Sequence, residues 1–201
     1  QQHYQAGRFV QADALEYLSE HGADFVAVHA SPPCQPHSGL GELNRAQKHR
    51  TDWSSMDLVA DVRRALDYAG MPYVIENVPG APLINPVVLD GSMFELGVWK
   101  RRLFETNWPL PEPLTRGISQ VRARADYSLV FGANSGPQEH WRGSRKTADW
   151  STAMDIHWMT RDELAQAIPP AYTRWIGTHL MAYIKYDPVP YTSTVSQGVM
   201  W

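Results

Sequence analysis

Three short runs, "DFVAVHAS" at 24–31, "PYVIENVPG" at 72–80 and "RLFETN" at 102–107, alternate with stretches whose apolar residues recur at helical spacing. Runs of strand length set between amphipathic helices restrict the chain to layered α/β architecture, with helices packed over an open parallel sheet. At 201 residues and 43% hydrophobic composition, one domain with a small appendage is expected.

"GRFVQAD" reads as a short strand ending at Asp13. "ALEYLSEHG" then reads as a helix with Asp13 as N-cap, Glu16 as its capping-box partner and Gly22 as its stop. Residues 39–53 are polar, charged and glycine-bearing, and read as a loop. From Met56 to Ala69, the apolar residues Leu58, Val62, Ala65, Leu66 and Ala69 share one helical face. Thr160 and Glu163 form a capping box for "RDELAQAI", which Pro169 and Pro170 end. The clearest helix follows, with Tyr172, Trp175, Ile176, His179, Leu180, Tyr183 and Ile184 on a face expected to pack on the sheet. The organisation expected is a catalytic α/β core over 1–106, a small irregular insert over 107–151, helices completing the core over 152–187, and a tail over 188–201.

The net charge of −3 is unevenly spread. Between Lys100 and Lys146 nine Lys/Arg face four acids, a local +5 that leaves −8 for the remainder. A solvated basic loop is the plain explanation of that segment, and a surface for a polyanion the functional one. One cysteine, no basic-plus-apolar leader and no long apolar run point to a cytoplasmic protein with a reduced thiol.

That cysteine, Cys34, lies in "HASPPCQPHSG" behind two prolines, where a stiff chain aims the side chain outward from a strand end. Glu76 ends the run "YVIE", and a carboxylate inside an apolar strand is costly without a partner. Lys100, Arg101 and Arg102 open "RLFE". At the strand ends of an open sheet the three meet in one crevice. The plainer alternatives are a small buried cysteine, a structural Glu76–arginine ion pair and a solvated basic edge. Taken together, the groups suit addition of a thiolate to C6 of a pyrimidine, with a carboxyl group at N3 and an arginine holding the base carbonyl.

In order along the chain, "SPPCQPHS" resembles the Pro-Cys nucleophile motif of the DNA (cytosine-5) methyltransferases, "ENVPG" their Glu-Asn-Val motif and "KRRLFE" the basic motif that follows. "QADAL", "VVLDGSMFELG" and "AIPPAYTRWIG" are similar to further motifs of the family, and the likeness is nearest to small phage-type members. The resemblance implies a Rossmann-like methyltransferase sheet with a small target-recognition insert, S-adenosylmethionine as cofactor, and double-stranded DNA with a flipped cytosine as partner. It implies Cys34 as nucleophile, Glu76 as the N3 partner and Arg102 as the partner of base carbonyl and thiolate. Asp13, Pro32, Gln166 and Ala167 would lie at the cofactor, and Gln35, Ser38, Asn77, Lys100 and Arg101 at the substrate, with Asn77 bracing the Cys34 loop. No metal is implied.

The family's glycine-rich turn after the first strand, and the acid ending its second, have no counterpart here. Lys100 stands where an Arg is common, and Gln166 near an expected Asn. A core truncated at its N-terminus is therefore expected: a fragment, a chain complemented by a separate N-terminal chain, or a non-catalytic relic that still binds DNA. A cysteine hydrolase using Cys34 with His37 is the reading from another class, but an oxyanion turn and an orienting acid for it are missing from the sequence.

Overall fold

The computed structural model describes residues 8–33, 58–115, 127, 128, 130 and 146–186. Cys34, Gln35, Ser38, the loop expected over 39–53, most of the basic insert and the tail from 187 lie outside the described residues.

Chain order gives α1 (Ala14–His21), β1 (Val28–Ala30), α2 (Leu58–Ala69), β2 (Tyr73–Asn77), β3 (Val87–Leu89), β4 (Arg102–Thr106), α3 (Thr147–Met154), α4 (Arg161–Gln166) and α5 (Pro170–Tyr186). The architecture is mixed α/β around an open four-stranded sheet of order β1-β2-β4-β3. The expected all-parallel sheet is corrected: β1 and β2 are parallel, but β4 runs antiparallel to both β2 and β3. A parallel neighbour requires a crossover connection, which α2 supplies between β1 and β2. Only a short 3₁₀ turn (Gly91–Phe94) lies between β3 and β4.

Two other expectations are corrected. Residues 8–13 join no strand of the sheet, and of "DFVAVHAS" only Val28–Ala30 does. Phe25 N–H closes a 3₁₀ turn onto Gly22 C=O (3.1 Å), which delays the strand, and Phe25 and Val26 remain exposed. β3 has no counterpart among the sequence expectations. The expected irregular segment ending at Ser151 contains the start of α3, because Trp150 and Met154 are fully buried with Val98, Val130, Ile156 and Leu164.

Helix limits follow their capping chemistry. Asp13 Oδ1 accepts from Leu15 N (2.9 Å) and Glu16 N (3.1 Å), satisfying two orphan donors of α1. Gly70, at φ 77°, closes α2 by donating its N–H to Leu66 C=O. Thr160 and Glu163 form the capping box of α4.

β2 is buried along its whole length, so its alternating side chains serve two cores. Tyr73 and Ile75 pack with Leu66 beneath α1 and α2, while Val74 packs with Leu89, Phe104, Trp108, Tyr172 and Ile176 beneath α5. The α2 side also carries a buried ion pair. Arg63 Nε and Nη2 grip the Glu105 carboxylate at 2.5 and 2.8 Å, Arg63 Nη2 donates to Pro82 C=O, and Ile84 N–H donates to Glu105 Oε2. Arg63→Ala would leave Glu105 buried and uncompensated. We expect a loss of about 3–5 kcal/mol in denaturant unfolding.

Gly91 is required by close approach. A Cβ there would stand 2.0 Å from Val98 O, a backbone atom that cannot swing aside. Gly91→Ala is expected to lower stability by about 1–3 kcal/mol in the same measurement, whereas Gly177→Ala meets nothing within 4 Å and avoids that clash.

Candidate active site

Antiparallel pairing brings the C-terminal end of β2 beside the N-terminal end of β4, with Glu76 opposite Phe104 and Asn77 opposite Leu103. Arg102, at the start of β4, is thereby carried to Glu76, and Arg102 Nε lies 3.0 Å from Glu76 Oε1. Glu76 is 8% exposed. Burial pushes its carboxyl above the usual carboxylate range, against the opposing pull of Arg102, a hydrogen bond from Ser31 and the charge of Lys100.

The parallel strand β1 delivers the chain to the same end of the sheet. Fully buried Asn77 donates from Nδ2 to Pro32 C=O (3.1 Å), and its Oδ1 accepts from Val78 N–H (2.9 Å). The side chain thus ties the end of β2 to the segment after β1, two residues before Cys34. Glu76, Asn77, Arg102, Ser31 and Pro32 stand together, and Cys34, Gln35 and Ser38 lie outside the described residues. Ser31 carries no signal of its own in the sequence, because its partner on β2 is visible only once β1 and β2 are paired.

The three consecutive cations have three different fates. Lys100 is buried, and its Nζ donates to Ala165 C=O (2.7 Å) and Leu164 C=O (3.3 Å) at the end of α4. The ammonium expected at the base is therefore engaged by protein carbonyls. Arg101 Nη2 is 3.7 Å from Asp90 Oδ2, and its guanidinium lies 5.3 Å from the centre of the Trp99 ring. Arg102 alone of the three pairs with Glu76.

Of the residues expected at the cofactor, Asp13 is exposed at the N-terminus of α1, Pro32 is buried under Asn77, and Gln166 is exposed at the end of α4. Ala167 N–H is used by Glu163 C=O. A separate cavity of about 190 Å³ lies between β1 and α5, lined among others by His29, Val74, Thr173 and Ile176 and not by Glu76 or Arg102. His29 is solvent-exposed on β1, although the surrounding protein partly desolvates its imidazole and lowers its pKa. Sequence reasoning gave no role to His29, a single polar residue in an apolar run. Among the described residues there is no group of three His, Cys, Asp or Glu that could hold a metal ion, and no helix long and apolar enough to cross a membrane.

Comparison with protein-family models finds no match, and comparison with curated proteins finds none.

Proposed function

We propose that this chain is a Rossmann-like DNA (cytosine-5) methyltransferase core that transfers a methyl group from S-adenosylmethionine to C5 of cytosine in double-stranded DNA. The observation that carries this reading is the buried Glu76–Arg102 pair, set between β2 and β4 beside Asn77, which holds the Pro32 segment that leads from β1 to Cys34. A carboxyl held in its protonated form to higher pH, beside a guanidinium, is the equipment needed to activate a pyrimidine at N3 and its carbonyl.

In this mechanism the Cys34 thiolate adds to C6, the C5=C6 π electrons move toward C5, and Glu76 gives its proton to N3 as charge develops. Arg102 holds the base carbonyl and stabilises the thiolate before attack. When bound, S-adenosylmethionine supplies the electrophilic methyl group that C5 takes up. A base then removes the C5 proton, the C5=C6 bond re-forms, Cys34 leaves with its bonding pair, and Glu76 recovers the proton from N3.

The donor chemistry of the described residues fits the cofactor. Asp13 spends Oδ1 on the helix cap, but a carboxylate has about four acceptor positions and can also receive an exocyclic amine. Gln166 offers an exposed carboxamide. These two would contact it, whereas Pro32 is buried with its carbonyl bound to Asn77 and the Ala167 N–H is committed to Glu163. The flipped base requires phosphate contacts, for which the Lys and Arg residues from Arg116 to Lys146 are the candidates, since Lys100 and Arg102 are engaged within the protein.

The experiment is incubation of the chain with duplex DNA and methyl-labelled S-adenosylmethionine, followed by nucleoside analysis. Label recovered as 5-methylcytosine supports the reading; DNA binding with no label would favour the non-catalytic alternative.

A further inference from the structure

Residue 100 is clamped from two helices. Its ammonium reaches the carbonyls of Leu164 and Ala165 in the last turn of α4, where unsatisfied carbonyls favour a cation. Its own carbonyl accepts from Tyr172 Oη at 2.7 Å, from the first turn of α5. Tyr172 is fully buried, with its ring centre 5.2 Å from that of Phe94 and 6.3 Å from that of Phe104, so the hydroxyl has a fixed origin. Two residues later the chain begins β4 with Arg102, whose Nη1 donates to Arg101 C=O (2.8 Å) while Nε faces Glu76. The backbone that carries the arginine is thus pinned immediately upstream, and the arginine head is braced against that same backbone.

We propose that Lys100 and Tyr172 are positioning residues for the Glu76–Arg102 pair: together they anchor the entry to β4 on α4 and α5 and so fix the approach of the Arg102 guanidinium to the Glu76 carboxyl. The proposal rests on the reading of that pair as part of the active site, and it changes the part of Lys100 from base contact to anchor. The charged and polar groups acting on Glu76 are Arg102 and Lys100 from the β4 side and Ser31 from the β1 side, and Asp90 and Arg102 act in turn on Tyr172. Loss of the anchor lets Arg102 withdraw, and a carboxyl that loses its cation binds its proton more tightly.

The test is the titration of the Glu76 carboxyl, followed by carbon-13 NMR with glutamate labelling and assigned with Glu76→Gln, in the unmodified chain and in Lys100→Met, Lys100→Arg and Tyr172→Phe. Tyr172→Phe removes one hydroxyl and keeps the ring, so it preserves the core if Lys100→Met does not fold. The Glu76 midpoint is expected to rise by ~0.5 units or more in Tyr172→Phe, which leaves every charge in place, to rise further in Lys100→Met, where direct loss of the Lys100 charge adds to the effect, and to stay near the unmodified value in Lys100→Arg. Methyl transfer, measured alongside, is expected to lose about 10- to 100-fold in kcat in Tyr172→Phe and Lys100→Met with little change in KM. A Glu76 midpoint unmoved in folded Tyr172→Phe overturns the positioning role. Because the titration needs no turnover, a chain that shows the shift but transfers no methyl group contradicts the proposed reaction and leaves the positioning role standing.

Discussion

Cys34→Ser is expected to abolish the proposed methyl transfer, with a loss on the order of 10⁴-fold or more in kcat/KM, because a hydroxyl has almost no anionic form at neutral pH to add to C6. A group that forms and breaks the covalent bond acts in every turnover, so binding energy elsewhere cannot replace it. The change removes one sulfur in favour of oxygen and is expected to leave DNA affinity within about threefold, since phosphate contacts dominate that term. Steady-state kinetics and a binding titration on the same preparation separate the two effects. Equal losses in binding and turnover would mean that Cys34 serves the fold or the interface rather than the chemistry.

Glu76→Gln would remove the proton that N3 needs in the proposed mechanism while keeping the shape of the side chain, and is expected to slow transfer by about 10²- to 10⁴-fold. The pH dependence gives a second readout. Burial raises the Glu76 pKa, so the protonated form required by the mechanism persists to higher pH and is lost as pH climbs through the raised value. Cys34 must lose its proton, and its fraction as thiolate rises with pH toward an ordinary thiol pKa of about 8.5. The pH–rate profile is therefore expected to be bell-shaped, with the falling limb belonging to Glu76 and absent in Glu76→Gln. Stability follows the same sign. A carboxyl whose pKa is raised on folding contributes stability below its unfolded pKa of about 4.5 and loses it as pH rises through the folded value. Replacement by glutamine removes that pH-dependent contribution, readable from unfolding midpoints measured from pH 4 to 8.

How much of this was legible depended on the range of the forces involved. The helix over Pro170–Tyr186 was plain because Tyr172, Ile176, Leu180 and Tyr183 repeat on one face, and the whole of that signal lies within one stretch of chain. The strand Tyr73–Asn77 was plain because every residue in it is buried. Strand direction was not, because the antiparallel course of β4 is decided by what connects it to β3, and short apolar runs look alike whichever way they run. Val87–Leu89 is only three residues long and passed unnoticed as a strand.

Glu76 was readable because a carboxylate is out of place in an apolar run, and the basic triplet offered it a partner in either Arg101 or Arg102. The fate of Lys100 was hidden for the opposite reason. A lysine in a basic triplet reads as solvated, and its burial depends on the carbonyls of Leu164 and Ala165, more than sixty residues away. The Arg63–Glu105 pair likewise joins residues 42 apart and leaves no local pattern.

The measurement that tests the central claim most directly is release of tritium from duplex DNA labelled at C5 of cytosine, by the unmodified chain and by Cys34→Ser, with and without S-adenosylmethionine. Addition of a thiolate to C6 makes C5 basic enough to exchange its hydrogen with water, so the label reports the covalent step even where no methyl group is transferred. The account predicts tritium in water from the unmodified chain, and none above background from Cys34→Ser. Retention of all label at C5 by folded protein bound to the DNA would contradict it.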